Sequence, residues 1–181
     1  MTSILKVDNL QDASGTGTPY IKGAVLQVKQ GILTTIWASS ASSTAFENTP
    51  LAVTITPQST SSKILITGMI NFGGESQSHV DFKIVRGGAD ILLSTQSIGN
   101  RTKSHLHYYF AAGTDSLYQI ITGNINLLDS PASTSALTYT LQAATPYVAG
   151  HQALLNQVGS DHDAVYNAYT VSTLTAMEIG G

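Results

Sequence analysis

From Ala24 onwards, apolar and polar residues alternate over short stretches. Leu51, Val53 and Ile55 alternate with Ala52, Thr54 and Thr56, and Val80, Phe82 and Ile84 alternate with Asp81 and Lys83, although Val85 breaks the rule. Successive side chains of an extended strand point to opposite faces, so a period of two assigns each set to one face of a sheet. Clusters of Gly, Ser, Asn and Pro interrupt these runs at spacings of roughly 8 to 15 residues, the punctuation of a β sandwich or barrel. The pattern predicts strands near Ala24 to Val28, Gly31 to Ser39, Leu51 to Thr56, Lys63 to Phe72, His79 to Arg86, Ala89 to Ser94, Lys103 to Ala112, Ser116 to Thr122, Leu137 to Ala144 and Ser172 to Ile179. No stretch has the period of a useful amphipathic helix. The expected fold class is all-β, a jelly-roll-like β-sandwich.

Between Arg86 and Ala89 stands Gly87-Gly88, a pair that tolerates the positive φ of a primed hairpin turn. Pro57 to Ser62 and Asp129 to Ser135 are polar linkers, expected at the surface. The first 23 residues differ from the rest. After a short extended run at Ser3 to Val7 comes Asp12-Ala13-Ser14-Gly15-Thr16-Gly17-Thr18-Pro19, which is turn chemistry throughout. Residues 1–23 are therefore an extended N-terminal arm, and residues 24–181 the knob. Ile4, Leu5, Val7 and Leu10 bury little against one another and are the candidate attachment residues toward a partner surface.

Composition sharpens this picture. Charged residues make up only 10% of the 181, against a usual share of about 25%; 20 Ser and 22 Thr supply much of the missing polarity. Thr also suits strands, because its branched Cβ packs well on a pleated surface. A net charge of −3 with 8 scattered Lys and Arg provides no basic stripe for a run of phosphates, so no nucleic-acid partner is expected. Cysteine is absent, which excludes disulfides and thiolate zinc sites. MTSILKVDNL is not a secretory signal, and no run approaches the roughly 18 apolar residues of a span, so neither secretion nor membrane insertion is expected.

Several phrases occur together in order: ILKVDNLQDASGTG at 4–17, TITPQSTSSKILI at 54–66, FKIVRGG at 82–88, LLDSPASTSALTYTLQA at 127–143 and STLTAMEIG at 172–180. In this combination the chain resembles virion structural proteins of tailed phages infecting marine bacteria and cyanobacteria, nearly from end to end. The resemblance implies an attachment segment followed by a trimeric β knob on the virion surface, made in the host cytoplasm, serving as tail fibre or capsid decoration. It brings no catalytic residues. Fibres of this kind often carry a long shaft, whereas an arm of two dozen residues reaches at most ~80 Å when fully extended. The short arm therefore favours decoration.

An enzyme reading finds little in the sequence. A hydrolase elbow, Gly-x-Ser-x-Gly, is absent, and Gly74-Glu75-Ser76-Gln77-Ser78 fails at its ends. A glycan depolymerase would need two carboxylates about 5 to 9 Å apart; Glu47, Glu75, Asp81, Asp115, Asp129, Asp161 and Asp163 are the candidates, and most fall in predicted turns. His105 and His107, two apart on a predicted strand, would share a face with Tyr109; at a trimer axis they could gather a metal, but a polar subunit contact is the commoner outcome for such a pair. Asp161-His162-Asp163 has ligand atoms but sits where solvation is the commoner role. Tyr147, Tyr166 and Tyr169 lie in a long irregular stretch, expected to be a loop used for contact or recognition.

The expected function is thus that of a non-enzymatic virion structural protein without cofactor. It would form a homotrimer, with the arm bound to the major capsid protein as a head-decoration (cement) protein. The alternative is a tail fibre or receptor-binding protein, with the arm in a tail component and a host surface glycan as ligand; a depolymerase is the outsider.

Overall fold

The computed structural model describes residues 22–40, 45–97, 99–147 and 150–181. The attachment candidates Ile4, Leu5, Val7 and Leu10 lie outside the described residues, as does nearly all of the expected arm. Among the described residues there is no α-helix; one 3-10 turn at Asp115–Tyr118 is the nearest approach. Among the described residues, no helix is long and apolar enough to cross a membrane. The chain is all-β, built as two antiparallel sheets.

The first sheet is organised on β4 (Lys63–Gly74), twelve residues long. One edge of β4 carries two partners in succession: β11 (Ser172–Ile179) beside Lys63 to Met69, and the three-residue β10 (Ala153–Leu155) beside Phe72 to Gly74. The other edge carries β8 (Ile121–Asp129). β1 (Val25–Leu33) extends the sheet beyond β11, and the two-residue β2 (Trp37–Ala38) beyond β10. The second sheet runs β3 (Glu47–Ile55), β9 (Leu137–Ala144), β5 (His79–Arg86), and the far edge of β5 is shared by β7 (Leu106–Tyr109) and the short β6 (Ala89–Asp90). A register shift between Asn48 and Ala52 brackets Pro50, which has no N–H to give the ladder.

One core fills the space between the sheets. Ile64, Ile66, Ile70 and Phe72 of β4 meet Val80, Phe82 and Ile84 of β5 and Tyr139 and Leu141 of β9. These are the apolar phases of the alternating strands, and each is almost fully buried. Phe72 sits at the centre of a ring cluster, 4.9 Å from Phe82 and 6.2 Å from Phe110 between centroids. Gly31 permits the two sheets to meet at their margin: a Cβ there would stand 1.9 Å from the Ala52 carbonyl oxygen. Beside β1, the Gly23 N–H donates to Gly180 O and the Gly180 N–H to Ala24 O, so the knob's first and last strands begin and end together.

Several sequence expectations change on contact with the fold. The predicted strands at His79 to Arg86, Leu137 to Ala144 and Ser172 to Ile179 match β5, β9 and β11. Gly87 and Gly88 turn the hairpin with φ of 56° and 85°. The two strands expected at Ala24 to Val28 and Gly31 to Ser39 are mainly the single continuous β1, followed by the small β2. The strand expected at Ser116 to Thr122 is displaced: its first part is in the 3-10 turn, and β8 runs on from Ile121 to Asp129. The stretch from Tyr147 to Tyr169 is not loop throughout, because β10 and the buried Asn156, Gln157 and Val158 lie within it. Asp129 is not a surface turn residue. It ends β8 buried, accepting hydrogen bonds from Arg86 Nη1 and from the Tyr139 hydroxyl at 2.8 Å.

Candidate functional site

β5 and β7 pair so that His79 lies opposite Tyr109 and Asp81 opposite His107. Their strand phase faces away from the core, since Val80 and Phe82 take the inner face. Here the rings gather. The His79 imidazole lies 4.6 Å from the Tyr109 ring, 5.4 Å from His107 and 5.1 Å from Tyr147, measured between centroids. Tyr109 is 46% exposed and Tyr147 75% exposed, so the row is open to solvent. Beneath its His107 end lies Asp81, only 1% exposed. Its Oδ1 accepts from the Ser104 hydroxyl and sits against His107 Nδ1, both at 2.9 Å, while Oδ2 has no hydrogen-bond partner. Shallow recesses flank the row: about 340 Å³ among Gln77, His79, Tyr109 and Tyr147, and about 290 Å³ among Asp81, Arg101, Thr102, Ser104, His107 and Pro146.

His105 leaves this row. Its Nδ1 accepts the Ile84 N–H at 2.9 Å and its Nε2 lies 3.2 Å from the Ile91 carbonyl, which fixes a neutral tautomer with the proton on Nε2. Burial lowers its pKa below the ordinary imidazole range, against the opposing pull of the Ile91 and Leu92 carbonyls. It is a pin under the β5–β6 hairpin.

Tyr166 and Tyr169 form a second group with Asp161 and His162, beside a recess of about 480 Å³ that Tyr169, Asp161, His162 and Asp163 line. The Tyr169 hydroxyl donates to Asp161 Oδ2 at 2.9 Å, which pushes the phenol above its usual range. His162 Nε2 lies 2.8 Å from the Tyr166 hydroxyl, and Tyr118 packs edge-on against both rings. Among the described residues, no three His, Asp or Glu side chains are gathered as a metal would need. Two other candidate acids have local partners: Glu47 accepts from Ser40 N at 2.6 Å, and Glu75 from Gln152 N at 2.8 Å.

A third surface is the outer face of the first sheet. Register places Val28, Met177, Leu65 and Leu128 in one row across four strands, Gln30, Thr175, Thr67 and Asn126 in the next, and Ile32, Thr173, Met69 and Asn124 in a third. Not one of the twelve is charged. Val28, Ile32 and Leu128 are each about half exposed.

The six recognition candidates thus fall into three places: His107, Tyr109 and Tyr147 together, Tyr166 and Tyr169 together, and His105 in the hairpin. Sequence reasoning missed His79, which links the first group, and Tyr118, which anchors the second. His79 was readable, since it opens a strand whose limits were correct and shares the phase of Asp81 and Lys83. A scan against protein-family models matches none, and comparison with curated proteins finds no similar sequence.

Proposed function

We propose that this chain is a non-enzymatic structural protein of a tailed-phage virion, a jelly-roll-like sandwich that assembles as a homotrimer and is held to the particle by its N-terminal arm. The observation that carries this reading is the three uncharged rows on the outer face of the first sheet, beyond which the next row brings in Lys63. Three adjacent rows with an apolar one among them and no charge suit a subunit contact, because aligned copies that meet there desolvate no ion, while Lys63 stays at the rim. Cyclic symmetry would also shelter the edges of β1 and β8, which otherwise offer unpaired backbone groups to other strands. Three arms on one base bind with avidity, so weak contacts at Ile4, Leu5, Val7 and Leu10 sum to durable attachment.

Within this reading, a head-decoration (cement) role against the major capsid protein is placed first. A tail-fibre or receptor-binding role is the second reading, favoured by the exposed ring row at His79, Tyr109 and Tyr147. Quantitative mass spectrometry of purified particles separates them: a copy number near that of the shell subunit means decoration, a small fraction of it means a tail component, and absence from particles overturns the proposal. The trimer is tested apart from this by sedimentation, where a mass of a single chain at micromolar concentration overturns it.

A further inference from the structure

Cations are scarce in this chain, with 8 Lys and Arg among 181 residues. Two of them, Arg101 and Lys103, line one recess of about 410 Å³ together with Ser94, Gln96, Thr102 and Ser104. None of the six is acidic. The sequence around them has the same bias: from Ile91 to Thr114 there is no Asp or Glu, although the whole chain has 11. The two acids on the adjoining strands are already engaged. Asp90 pairs with Lys83, and Asp81, only 1% exposed, lies under Ser104 and His107. The recess is therefore a locally positive region in a chain whose net charge is −3.

The connection between β6 and β7 builds this recess from two limbs that are fixed to each other and to β5. His105 Nε2 lies 3.2 Å from the Ile91 carbonyl, the His105 N–H donates to Phe82 O at 2.8 Å, and the Ser104 hydroxyl donates to Asp81 Oδ1 at 2.9 Å. Ser94 and Gln96 on one limb thus share a recess with Arg101 to Ser104 on the other. Ser94 Oγ accepts the Gln96 N–H at 3.2 Å, which leaves the hydroxyl proton to donate.

Guanidinium and ammonium groups only donate, so the ligand they suit is rich in acceptors. A guanidinium matches two oxygens of an anion with parallel N–H groups, and an ammonium is a point charge for a third. Three terminal oxygens on one centre is the form of a sulfate or phosphate ester. A carboxylate has two and leaves one cation without its match. The volume falls within the roughly 300 to 1,000 Å³ of small-molecule sites, which gives room for the organic group behind the oxyanion.

We infer that the recess between the two limbs of the β6–β7 connection binds a sulfate or phosphate ester, with Arg101 and Lys103 holding its terminal oxygens and Ser94 donating from the opposite limb. The site belongs to the second sheet, apart from the uncharged rows, and depends neither on a trimer nor on a virion.

The test is an NMR titration of the full chain in low salt, followed through the backbone amides of Ser94, Thr102 and Lys103. The probes are methyl glucoside, the same sugar with a sulfate or a phosphate on its primary hydroxyl, methyl glucuronide, and inorganic sulfate. At least one ester is expected to shift all three amides, with a dissociation constant on the order of millimolar. Methyl glucoside is expected to shift none, and methyl glucuronide and inorganic sulfate to bind several-fold more weakly than that ester. Arg101→Gln and Lys103→Gln, both at exposed positions, are each expected to weaken ester binding about ten-fold. Lys29→Gln removes a cation from β1 in the other sheet and is expected to leave binding unchanged. The inference is overturned if neither ester moves the amides at about 50 mM, well above a millimolar constant. It is equally overturned if methyl glucoside moves them as far as its esters do, if methyl glucuronide or inorganic sulfate binds as tightly as the better ester, if the shifts survive Arg101→Gln, or if Lys29→Gln weakens binding as much as Lys103→Gln.

Discussion

Asn156 shows how much one side chain can hold. It is fully buried at φ 62°, a conformation asparagine tolerates better than most residues. Its Nδ2 donates to the Leu33 and Thr35 carbonyls, its Oδ1 accepts from the Ser172 hydroxyl, and its backbone N–H donates to Asn71 O. Asn156→Ala strands these acceptors in the core and is expected to lower stability by about 3 kcal/mol, read from the midpoint of urea unfolding. Acid should act at two other groups, the half-buried His105 and the buried Glu178. His105 has a pKa below its ordinary 6.5 in the fold, so the unfolded chain binds the proton first. Its contribution is complete above about pH 6.5 and is lost as the pH falls toward the folded value. At Glu178, burial opposes ionisation, but hydrogen bonds from Gln27, Ser62 and the Gln58 backbone outweigh it and hold the carboxyl below its usual range. That contribution is present above about pH 4.5 and disappears on further acidification. Unfolding free energy measured from pH 7.5 to 3.5 should therefore fall in two stages, and His105→Asn should remove the upper one.

The margin where β1 crosses β3 depends on a missing side chain. With the Ala52 carbonyl where a Cβ would go, Gly31→Val must push the two strands apart, and a loss of at least about 2 kcal/mol is expected, with the near-ultraviolet circular dichroism of the core altered. Elements with clean alternation and firm punctuation were legible in the sequence. β5 starts after the Gly74 to Ser78 turn and ends at Gly87-Gly88; β11 has alternating burial along its whole length, and β9 from Thr138 to Ala143. β8 was misplaced although Ile121, Gly123, Ile125 and Leu127 keep the same phase, because Gly123, Asn124 and Asn126 resemble turn residues to a propensity argument. Three-residue β10 carries no periodicity at all. What makes it a strand is the open upper edge of β4, a tertiary fact.

For the whole molecule, the arrangement of sites was less legible than the strands. Which rings meet depends on register, and register is set by pairing across residues far apart in the chain: Tyr147 reaches His79 only because β5 lies between β7 and β9. The uncharged rows are likewise invisible until Val28, Met177, Leu65 and Leu128 are aligned. If that face joins three subunits, a carboxylate at its centre should split them. Met177→Glu is expected to convert the trimer to single chains in sedimentation while far-ultraviolet circular dichroism stays that of the native sheet, since Met177 points away from the core.

The pairing of Gly23 and Ala24 with Gly180 has a mechanical consequence. Tension on the N-terminal segment enters the knob at the start of β1, and β1 runs antiparallel to β11 through eight registered pairs from Val25↔Ile179 to Leu33↔Ser172. A pull along the strand axis, with the rest of the sheet held, loads all of those rungs at once, in shear. A pull between Gly23 and Gly181 instead peels the same ladder open one rung at a time. The same strand is therefore a strong tether in one direction and a zipper in the other, and a single-molecule experiment that exchanges the two attachment points should record a much lower rupture force for the second.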